Sequence, residues 1–262
     1  MAEQIIRFED GAAYEQMMGI WSRLVGNVFL QWLAPPLGLR WIDVGCGNGA
    51  FTEVLIERCA PTWVEGIDPS EGQLAYARKR LSIDQANFSK GDAMALPFAN
   101  HSFDAAVMAL VLVFVSDPRK AVEEMVRVVK PGGRVATYMW DMLGDGFPLE
   151  PILLEMHNMG LAPPRPPRME ASSTEALRDL WERAGLDKVE MREIRVHRVF
   201  ANFDDFWLAK QTAPSIGATI AAMSSAEVKT LKERVRARLP SDAEGRITYG
   251  ARANAILGRV PA

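Results

Sequence analysis

Three glycines alternate with other residues in the stretch WIDVGCGNGAF, directly after a short apolar run that ends in an acid. A glycine-rich turn between a strand and a helix lets the backbone come close to a ligand and turns the free N–H groups of the helix toward it. The last of the three, Gly49, comes one position too early for the G-x-G-x-x-G pattern of dinucleotide-binding turns. Asp43 would repel a pyrophosphate but can accept a hydrogen bond from an amino group. The pattern therefore favours a cationic nucleoside ligand.

A second acid follows the next apolar run. Asp68 closes the run in VEGIDPS, and it lies roughly 20 residues beyond the glycines, where nucleotide-binding folds place an acid against the ribose hydroxyls. One carboxylate can accept hydrogen bonds from both hydroxyls. Asp68 is therefore predicted to bind a ribose.

Short apolar runs alternate with amphipathic segments through the first half of the chain, which is the pattern of strand and helix units on a parallel sheet. We predict strands near residues 40–45, 63–67, 87–90, 103–110 and 133–140. We predict helices at residues 50–59, 71–81 and 118–129, with Ser70 and Asp117 as N-caps. Helices should cover both faces of the sheet, with the ligand beyond the carboxyl ends of its strands.

This alternation breaks after Trp140. Residues 141–170 form an excursion that ends in the proline-rich LAPPRPPRME, and a helix follows over residues 172–184. The segment DKVEMREIRVHRVF alternates like a strand, residues 202–240 form a second, helical excursion, and a last strand is predicted near residues 246–260. The predicted fold is α/β, with a doubly wound, seven-stranded and mostly parallel sheet whose last strand lies antiparallel beside the fifth. Both excursions are predicted to be helical lid insertions.

Composition narrows the classes of partner. The chain has 262 residues, of which 48% are hydrophobic and 24% charged, and its net charge of −3 provides no field to gather phosphate backbones. Its two cysteines lack metal-ligand spacing, and no apolar run reaches the roughly 18 residues of a membrane span. We therefore expect no metal, no nucleic acid and no membrane partner, a small-molecule ligand, a monomer or homodimer, and a cytoplasmic location.

Four blocks of the sequence, in the same order, resemble the class I methyltransferases that use S-adenosylmethionine. The blocks are IDVGCGNGAF, VEGIDPSEGQLAYAR, GDAMALPFANHSFDAAVMALVLVFVSDP and VVKPGGRV. The chain is most similar to the bacterial small-molecule type related to ubiquinone and menaquinone biosynthesis methyltransferases, and the resemblance is strong over residues 38–140. It implies a Rossmann-like methyltransferase fold, S-adenosyl-L-methionine as the cofactor and S-adenosyl-L-homocysteine as the product.

The resemblance also implies a set of cofactor-binding residues. Asp43, Gly45 and Gly47 would hold the methionine part, with Cys46 contacting the cofactor from inside the same loop. Asp68 would take the ribose hydroxyls, and Pro69 and Ser70 would shape the turn after it. Asp92 would accept from the adenine amino group, Ala93 would offer its backbone N–H to the ring, and Leu110 would lie close to both cofactor and substrate.

The N-terminal segment YEQMMGIWSRL resembles a helix that closes over the cofactor in relatives. Relatives often carry an arginine where this chain has Ile20, so the contact to the cofactor carboxylate stays open. Tyr14 and Trp21 either face the sulfonium through their rings or pack in the core. We predict a single methyltransferase domain over residues 1–262. It comprises an N-terminal helical cap at 1–37, a cofactor-binding core at 38–140 and the lid or substrate excursions at 141–170 and 202–240.

The chemistry expected of this family is in-line methyl transfer, for which a base is optional. Trp140 and Met156 are predicted to line an adaptable apolar acceptor pocket, with Tyr14 and Trp21 as further substrate-binding residues. His157, with Tyr138 and Asp141 at the end of the fifth strand, provides the acid–base candidates. The acceptor is predicted to be small or medium and apolar, with an oxygen, nitrogen or carbon nucleophile. The alternatives are a non-catalytic S-adenosylmethionine-binding protein and an NAD(P)-dependent oxidoreductase.

Overall fold

The computed structural model describes residues 15–80, 85–211, 213 and 216–262. Within this part of the chain, seven strands form one sheet in the order β3-β2-β1-β4-β5-β7-β6. The strands are β1 (Arg40–Val44), β2 (Trp63–Asp68), β3 (Ala86–Lys90), β4 (Phe103–Ala109), β5 (Val129–Trp140), β6 (Asp187–Phe200) and β7 (Ile247–Arg259). The first five pair in parallel, and β7 lies antiparallel between β5 and β6. The predicted mostly parallel sheet, with its last strand antiparallel beside the fifth, is confirmed.

Helices flank the sheet. A π-helical turn (Glu15–Gly19) leads into α1 (Ile20–Leu33), and the remaining helices are α2 (Ala50–Cys59), α3 (Glu71–Arg80), α4 (Pro118–Val128), α5 (Glu150–Asn158), α6 (Thr174–Arg183), α7 (Phe203–Gln211), α8 (Gly217–Ala221) and α9 (Ser225–Arg238). Short 3-10 helices cover Leu112–Phe114 and Met169–Ser172. Both predicted N-caps are present, since Ser70 Oγ accepts from Gln73 N at 3.3 Å and Asp117 Oδ1 from Lys120 N at 3.1 Å. These caps satisfy backbone donors that the first turn of a helix leaves free.

The fifth strand starts earlier than the sequence pattern predicts. Val129 already has extended backbone angles and pairs with Phe103, so α4 ends at Val128 and no helix reaches Val129. Gly132 follows with a φ of +76°, which favours glycine, in the turn before the main register of β5. A Cβ on the next residue, Gly133, would lie 2.7 Å from the carbonyl oxygen of Asp104, so the backbones meet there without room for a side chain.

The two excursions occupy different places. The segment 141–170 contains α5, and its proline-rich part is tied to the chain after β4 because Arg168 N donates to Val113 O at 3.0 Å. The segment 202–240 contains α7 to α9. Glu155 of α5 pairs with Arg238 of α9, and Phe206 of α7 packs edge-on against Tyr249 of β7 at 5.9 Å. The second excursion therefore packs on α5 and on the antiparallel end of the sheet.

The N-terminal turn is fastened to the first glycine loop. Glu15 accepts from Asn48 Nδ2 at 3.0 Å and forms an ion pair with Arg80 of α3, which also binds Glu53 at 2.9 Å. This network joins the N-terminal turn, α2 and α3. No helix among the described residues combines the length and the apolar character required to cross a membrane.

Candidate functional site

A cavity of about 880 Å³ opens at the carboxyl ends of β1, β2 and β4. Its volume is within the range of small-molecule sites. The cavity brings together all ten residues that the sequence predicted to bind the cofactor: Asp43, Gly45, Cys46, Gly47, Asp68, Pro69, Ser70, Asp92, Ala93 and Leu110. The parallel strands place them there because their carboxyl ends meet at one edge of the sheet.

The glycine loop after β1 lies directly against the segment after β4. Gly45 has a φ of +76° and donates to Ile67 O at 2.6 Å. A Cβ at this position would lie 2.5 Å from the side chain of Val111, so any larger residue would push the loop away from its neighbour. Gly47 has a φ of +52° and turns its N–H to the carboxylate of Asp68, at 2.9 Å from Oδ2. The two predicted binding elements, the loop and the acid, are therefore joined by a hydrogen bond.

Asp68 stands at the end of β2 with 9% of its surface exposed. Its Oδ1 accepts from Ser70 N at 2.8 Å, while Oδ2 accepts from Gly47 N. Burial raises the pKa of this carboxyl, and the two backbone hydrogen bonds counteract part of that effect. Each oxygen keeps a further acceptor site, so the side chain is held in place and can still bind a diol.

Asp43 is completely buried at the end of β1. Its Oδ2 accepts from Thr52 Oγ1 at 2.6 Å, and its Oδ1 has no hydrogen-bond partner among the described residues. Burial raises the pKa of Asp43 to about 7, the Thr52 hydrogen bond opposes the rise, and the nearby Asp68 carboxylate adds to it. A buried acceptor without a partner is costly, and it gains a partner when a donor or cation enters the cavity.

Gln73 was missed by the sequence reasoning. It lies on the first turn of α3, is 2% exposed and lines the cavity, and neither its Oε1 nor its Nε2 has a partner among the described residues. An amide offers one acceptor and two donors, which suits a polar ring edge. Its position three residues after the Ser70 cap could have indicated that Gln73 lines the cavity, because that spacing turns a side chain toward the preceding loop.

The far wall of the cavity comes from two further turns. Asp92 is exposed, and its Oδ1 accepts from Met94 N at 2.9 Å in the turn that also holds Ala93. Leu110 has a φ of +63°, an uncommon value for a residue with a side chain, and donates its N–H to Tyr138 O at 2.9 Å. Strained backbone of this kind often occurs at functional sites.

A smaller apolar cavity of about 50 Å³ adjoins the first and shares Leu110 and Phe114 with it. Its other lining residues are Met17, Met18, Val113, Met139, Trp140, Met142, Phe147, Leu149, Glu150, Leu153, Pro164, Arg165, Pro166 and Met169. Most of them belong to the excursion 141–170. Flexible methionine side chains can rearrange to widen such a space. None of the described residues of 202–240 lines either cavity.

The structure places the predicted acceptor-side residues in different environments. Trp140 lines the apolar cavity. Met156 of α5 is fully buried and lines neither cavity, so the structure does not bring it to Trp140 at the cavity wall. Trp21 is also fully buried and lines neither cavity; its ring packs edge-on against Trp140 at 6.2 Å and Tyr249 at 6.4 Å. This favours the packing interpretation of Trp21. Tyr14 lies outside the described residues.

The acid–base candidates are also separated. His157 is exposed and lines neither cavity, because α5 turns Ile152, Leu153 and Met156 inward. Asp141 is held by Arg252, with Nη2 at 2.6 Å and Nε at 3.0 Å from Oδ2, and it too lines neither cavity.

Of the three acid–base candidates, Tyr138 alone lines the larger cavity. Its ring packs against Phe29 at 4.7 Å and Phe51 at 5.6 Å. In the described part of the chain, no three His, Cys, Asp or Glu side chains are grouped so as to hold a metal ion.

Comparison with known proteins gives consistent results. Residues 42–137 match the family model described as a methyltransferase domain. The chain is 34% identical over 125 residues to the ubiquinone/menaquinone biosynthesis C-methyltransferase of Roseobacter denitrificans, covering 46% of this chain and 50% of that protein. It is 34% identical over 163 residues to an O-methyltransferase of Aspergillus nomiae, covering 60% of this chain and 68% of that protein. The chain thus spans only half the length of the bacterial relative.

A solved structure supports the fold. Phosphoethanolamine N-methyltransferase 2 of Haemonchus contortus, in complex with S-adenosyl-L-methionine, superimposes with a TM-score of 0.60 over 96% of this chain and 56% of that chain. Sequence identity is 20%, so this likeness concerns the fold alone.

Proposed function

Because this chain belongs to the class I S-adenosylmethionine-dependent methyltransferases, we propose that it transfers the methyl group of S-adenosylmethionine to a small or medium, largely apolar acceptor. The observation that carries this proposal is the pair of adjoining cavities. The larger, more polar cavity holds the glycine loop, Asp68 and Asp92, and the smaller one is apolar; Leu110 and Phe114 line both. A cofactor in the first cavity and an acceptor in the second would meet at that shared wall.

The residues of the first cavity fit the chemistry of this cofactor. Asp43 Oδ1 and the amide of Gln73 are buried polar groups without partners among the described residues, and a ligand with an amino group and a polar ring would satisfy both. When bound, S-adenosylmethionine supplies a methyl carbon made electrophilic by the sulfonium. The protein's task is then to orient an acceptor in line with that carbon and to exclude water.

We assign the residues of this cavity to the parts of the cofactor as the family resemblance implies. Asp43, with the Gly45–Gly47 loop that includes Cys46, would bind the methionine part. Asp68 would bind the ribose hydroxyls, held by the turn at Pro69 and Ser70. Asp92 and Ala93 would bind the adenine, and Leu110 would separate the cofactor from the acceptor. The positions of these residues around one cavity support the assignment.

The cofactor carboxylate needs a different partner from the arginine of relatives. Ile20 is 41% exposed and does not line the cavity, whereas Ser22, two residues later on α1, lines it and is 5% exposed. Lys90 is the only cationic side chain among the described lining residues, and it pairs in register with Asp68 at the ribose end. We therefore assign the carboxylate to the Ser22 hydroxyl and to the free backbone N–H groups at the start of α2.

The remaining assignments concern the whole chain. A single methyltransferase domain is proposed, with residues 1–37 as its N-terminal cap and the excursions at 141–170 and 202–240 as substrate-side lids. Only the first excursion contributes described residues to a cavity, so the lid role of 202–240 depends on movement of its helices over α5. The chain is proposed to act on a small molecule as a monomer or homodimer in the cytoplasm, without nucleic acid or membrane.

A screen with radiolabelled S-adenosylmethionine tests the proposed function. Phenols, quinols, amines and carboxylic acids serve as acceptors, and S-adenosylhomocysteine affinity is measured by calorimetry on the same preparation. We expect tight product binding and methyl transfer to at least one acceptor class. Product binding without transfer to any acceptor would favour the non-catalytic alternative. Binding of NAD in place of S-adenosylhomocysteine would favour the oxidoreductase.

A further inference from the structure

One acidic side chain lines the apolar cavity and takes no part in the cofactor assignment. Glu150 is the first residue of α5 and is partly buried beside Leu149 and Leu153. Among the described residues, none forms a hydrogen bond or salt bridge with its carboxylate. Arg165 is the only other charged side chain among the described residues of this cavity, and it contributes from the proline-rich loop opposite. The cavity is therefore apolar except for one carboxylate and one guanidinium.

The surroundings of Glu150 make it a stronger base than an exposed glutamate. Burial raises the pKa of its carboxyl, the charge of Arg165 opposes the rise, and the charge of Asp145 adds to it. On the facing strand β7, burial raises the pKa of the Tyr249 phenol, and Glu150 and Asp145 raise it further. Tyr249 therefore stays protonated near neutral pH and does not compete for a proton. A carboxylate whose pKa approaches the working pH accepts protons more effectively.

We propose that Glu150 is the general base of the methyl transfer and that the acceptor is a hydroxylated ring methylated on its oxygen. This inference rests on the proposed function. The apolar walls suit a ring, and the carboxylate of Glu150 lacks a donor that a hydroxyl would supply. Arg165 in the same cavity disfavours a cationic acceptor such as an ammonium. At about 50 Å³ the cavity must widen for a ring, which its methionines allow.

The step balances without any further reagent. The O–H bond of the acceptor breaks as its proton passes to a carboxylate oxygen of Glu150. The acceptor oxygen forms its bond to the methyl carbon with the electron pair left behind, and the pair of the broken methyl–sulfur bond stays on sulfur. Glu150 then releases its proton to solvent, so the products are a methyl ether, S-adenosylhomocysteine and a proton.

The test compares Glu150→Gln with Glu170→Gln. The glutamine keeps the shape of the side chain but cannot take a proton, and Glu170 is an exposed residue of the neighbouring 3-10 helix that lines neither cavity. The acceptors are phenols substituted at the ring, from 4-methoxyphenol to the more acidic 4-nitrophenol. Glu150→Gln should slow transfer to 4-methoxyphenol by about 100- to 10,000-fold, the usual contribution of a general base. Glu170→Gln should stay within about twofold of the parent.

Acceptor acidity separates catalysis from packing. A phenol that is already ionised needs no base, so the loss in Glu150→Gln should shrink steadily toward 4-nitrophenol. The parent rate should rise with pH through the pKa of Glu150, and the variant should lose this rise. Calorimetry should give the same S-adenosylhomocysteine affinity for both proteins, which shows that the cofactor site is intact.

Four results would overturn the inference. An equal loss for every phenol would indicate a role in packing alone, and no loss for 4-methoxyphenol would leave Glu150 without a catalytic role. Transfer by the parent to amines but to no hydroxyl acceptor would refute the inference while the proposed function stands. Transfer to no acceptor of any class would refute the proposed function together with it.

Discussion

At the scale of single residues, the larger cavity holds two carboxylates in different surroundings. Asp68 is held by two backbone N–H groups, whereas Asp43 is fully buried with one hydroxyl donor and one oxygen without a partner among the described residues. The first is preorganised to receive hydroxyl donors. The buried Asp43 carboxylate is destabilised until a cation or a hydrogen-bond donor enters the cavity. Its effect on the stability of the protein therefore depends on pH and on bound ligand.

Asp68→Ala should weaken S-adenosylhomocysteine binding by about tenfold or more. The ribose hydroxyls would lose their hydrogen bonds to a charged carboxylate. Such hydrogen bonds typically contribute roughly 1.5–3 kcal/mol of binding free energy. Calorimetry measures the affinity, and Asp187→Ala, at the exposed start of β6, is the control because it lines neither cavity. An unchanged affinity in Asp68→Ala with an intact fold would remove Asp68 from the ribose site.

Asp43→Asn should stabilise the ligand-free protein, and the gain should grow as pH rises. Burial raises the pKa of Asp43 from its ordinary 3.8 to about 7 in the folded state. Between these values the folded chain binds a proton that the unfolded chain has lost, so stability falls as pH rises through this window. The full penalty above neutral pH is about 4 kcal/mol, and about 2 kcal/mol of it develops between about pH 5 and pH 7.

Denaturant titrations of parent and variant at about pH 5 and pH 8 measure this difference. Asp104→Asn is a control of opposite sign. Burial raises the pKa of Asp104, but hydrogen bonds from Lys130 and from the Arg40 backbone lower it by a larger amount. The net effect is a lowered pKa. Removal of this carboxylate in Asp104→Asn should lower the stability of the protein at neutral pH. If Asp43→Asn gives no more benefit at pH 8 than at pH 5, Asp43 titrates normally.

At the scale of elements, α5 divides its residues between cavity and core. Leu149, the residue before α5, and Leu153 line the apolar cavity, Met156 is buried one turn later without reaching it, and His157 faces outward. The excursion 141–170 then returns along the 3-10 helix that brings Met169 to the same cavity. Acceptor specificity therefore depends on which face of this excursion a residue occupies.

Met169→Ala should raise the KM for the acceptor about fivefold or more, a loss of roughly 1 kcal/mol of apolar contact. S-adenosylhomocysteine affinity should stay within about twofold, since Met169 does not line the larger cavity. Met156→Ala is the matched control, because it removes a core side chain and should instead lower stability by about 2–5 kcal/mol. Equal effects of both variants on acceptor KM would place the pocket elsewhere.

The elements near the cofactor could be predicted from sequence because their signals are local. Alternating glycines, an acid at each strand end, and the Ser70 and Asp117 caps each fix a turn whose partners lie within a few residues. The acceptor side could not be predicted in this way. Whether His157 or Met156 faces the cavity depends on how α5 rotates against the sheet, which its neighbours in space determine. Glu150 gave no signal, since an acid at the start of a helix is ordinary in sequence.

At the scale of the whole molecule, the sheet joins two kinds of strand pairing. The parallel strands β1 to β4 lead into the larger cavity, while β5 and β7 pair antiparallel over residues 134–140 and 253–259. Residues Met139 and Trp140 at the end of β5 reach the apolar cavity. The two cavities thus lie on one continuous hydrogen-bonded sheet, so a ligand in the first stabilises the same folded state that shapes the second.

S-adenosylhomocysteine at about 100 times its Kd should therefore stabilise the folded chain by about 2.7 kcal/mol, because a ligand that binds only the folded state shifts the unfolding equilibrium by mass action. For a chain of this length the Tm should rise by roughly 5–10 °C. NAD at the same concentration should leave the Tm unchanged, because the acid at Asp43 and the early third glycine disfavour its pyrophosphate. In Asp68→Ala, the same concentration of S-adenosylhomocysteine should stabilise the folded chain by about 1.4 kcal/mol less than in the parent. This difference is the equivalent of its tenfold weaker binding. Thermal unfolding followed by circular dichroism measures all three shifts. A rise with NAD equal to that with S-adenosylhomocysteine would contradict the specificity assigned to the glycine loop.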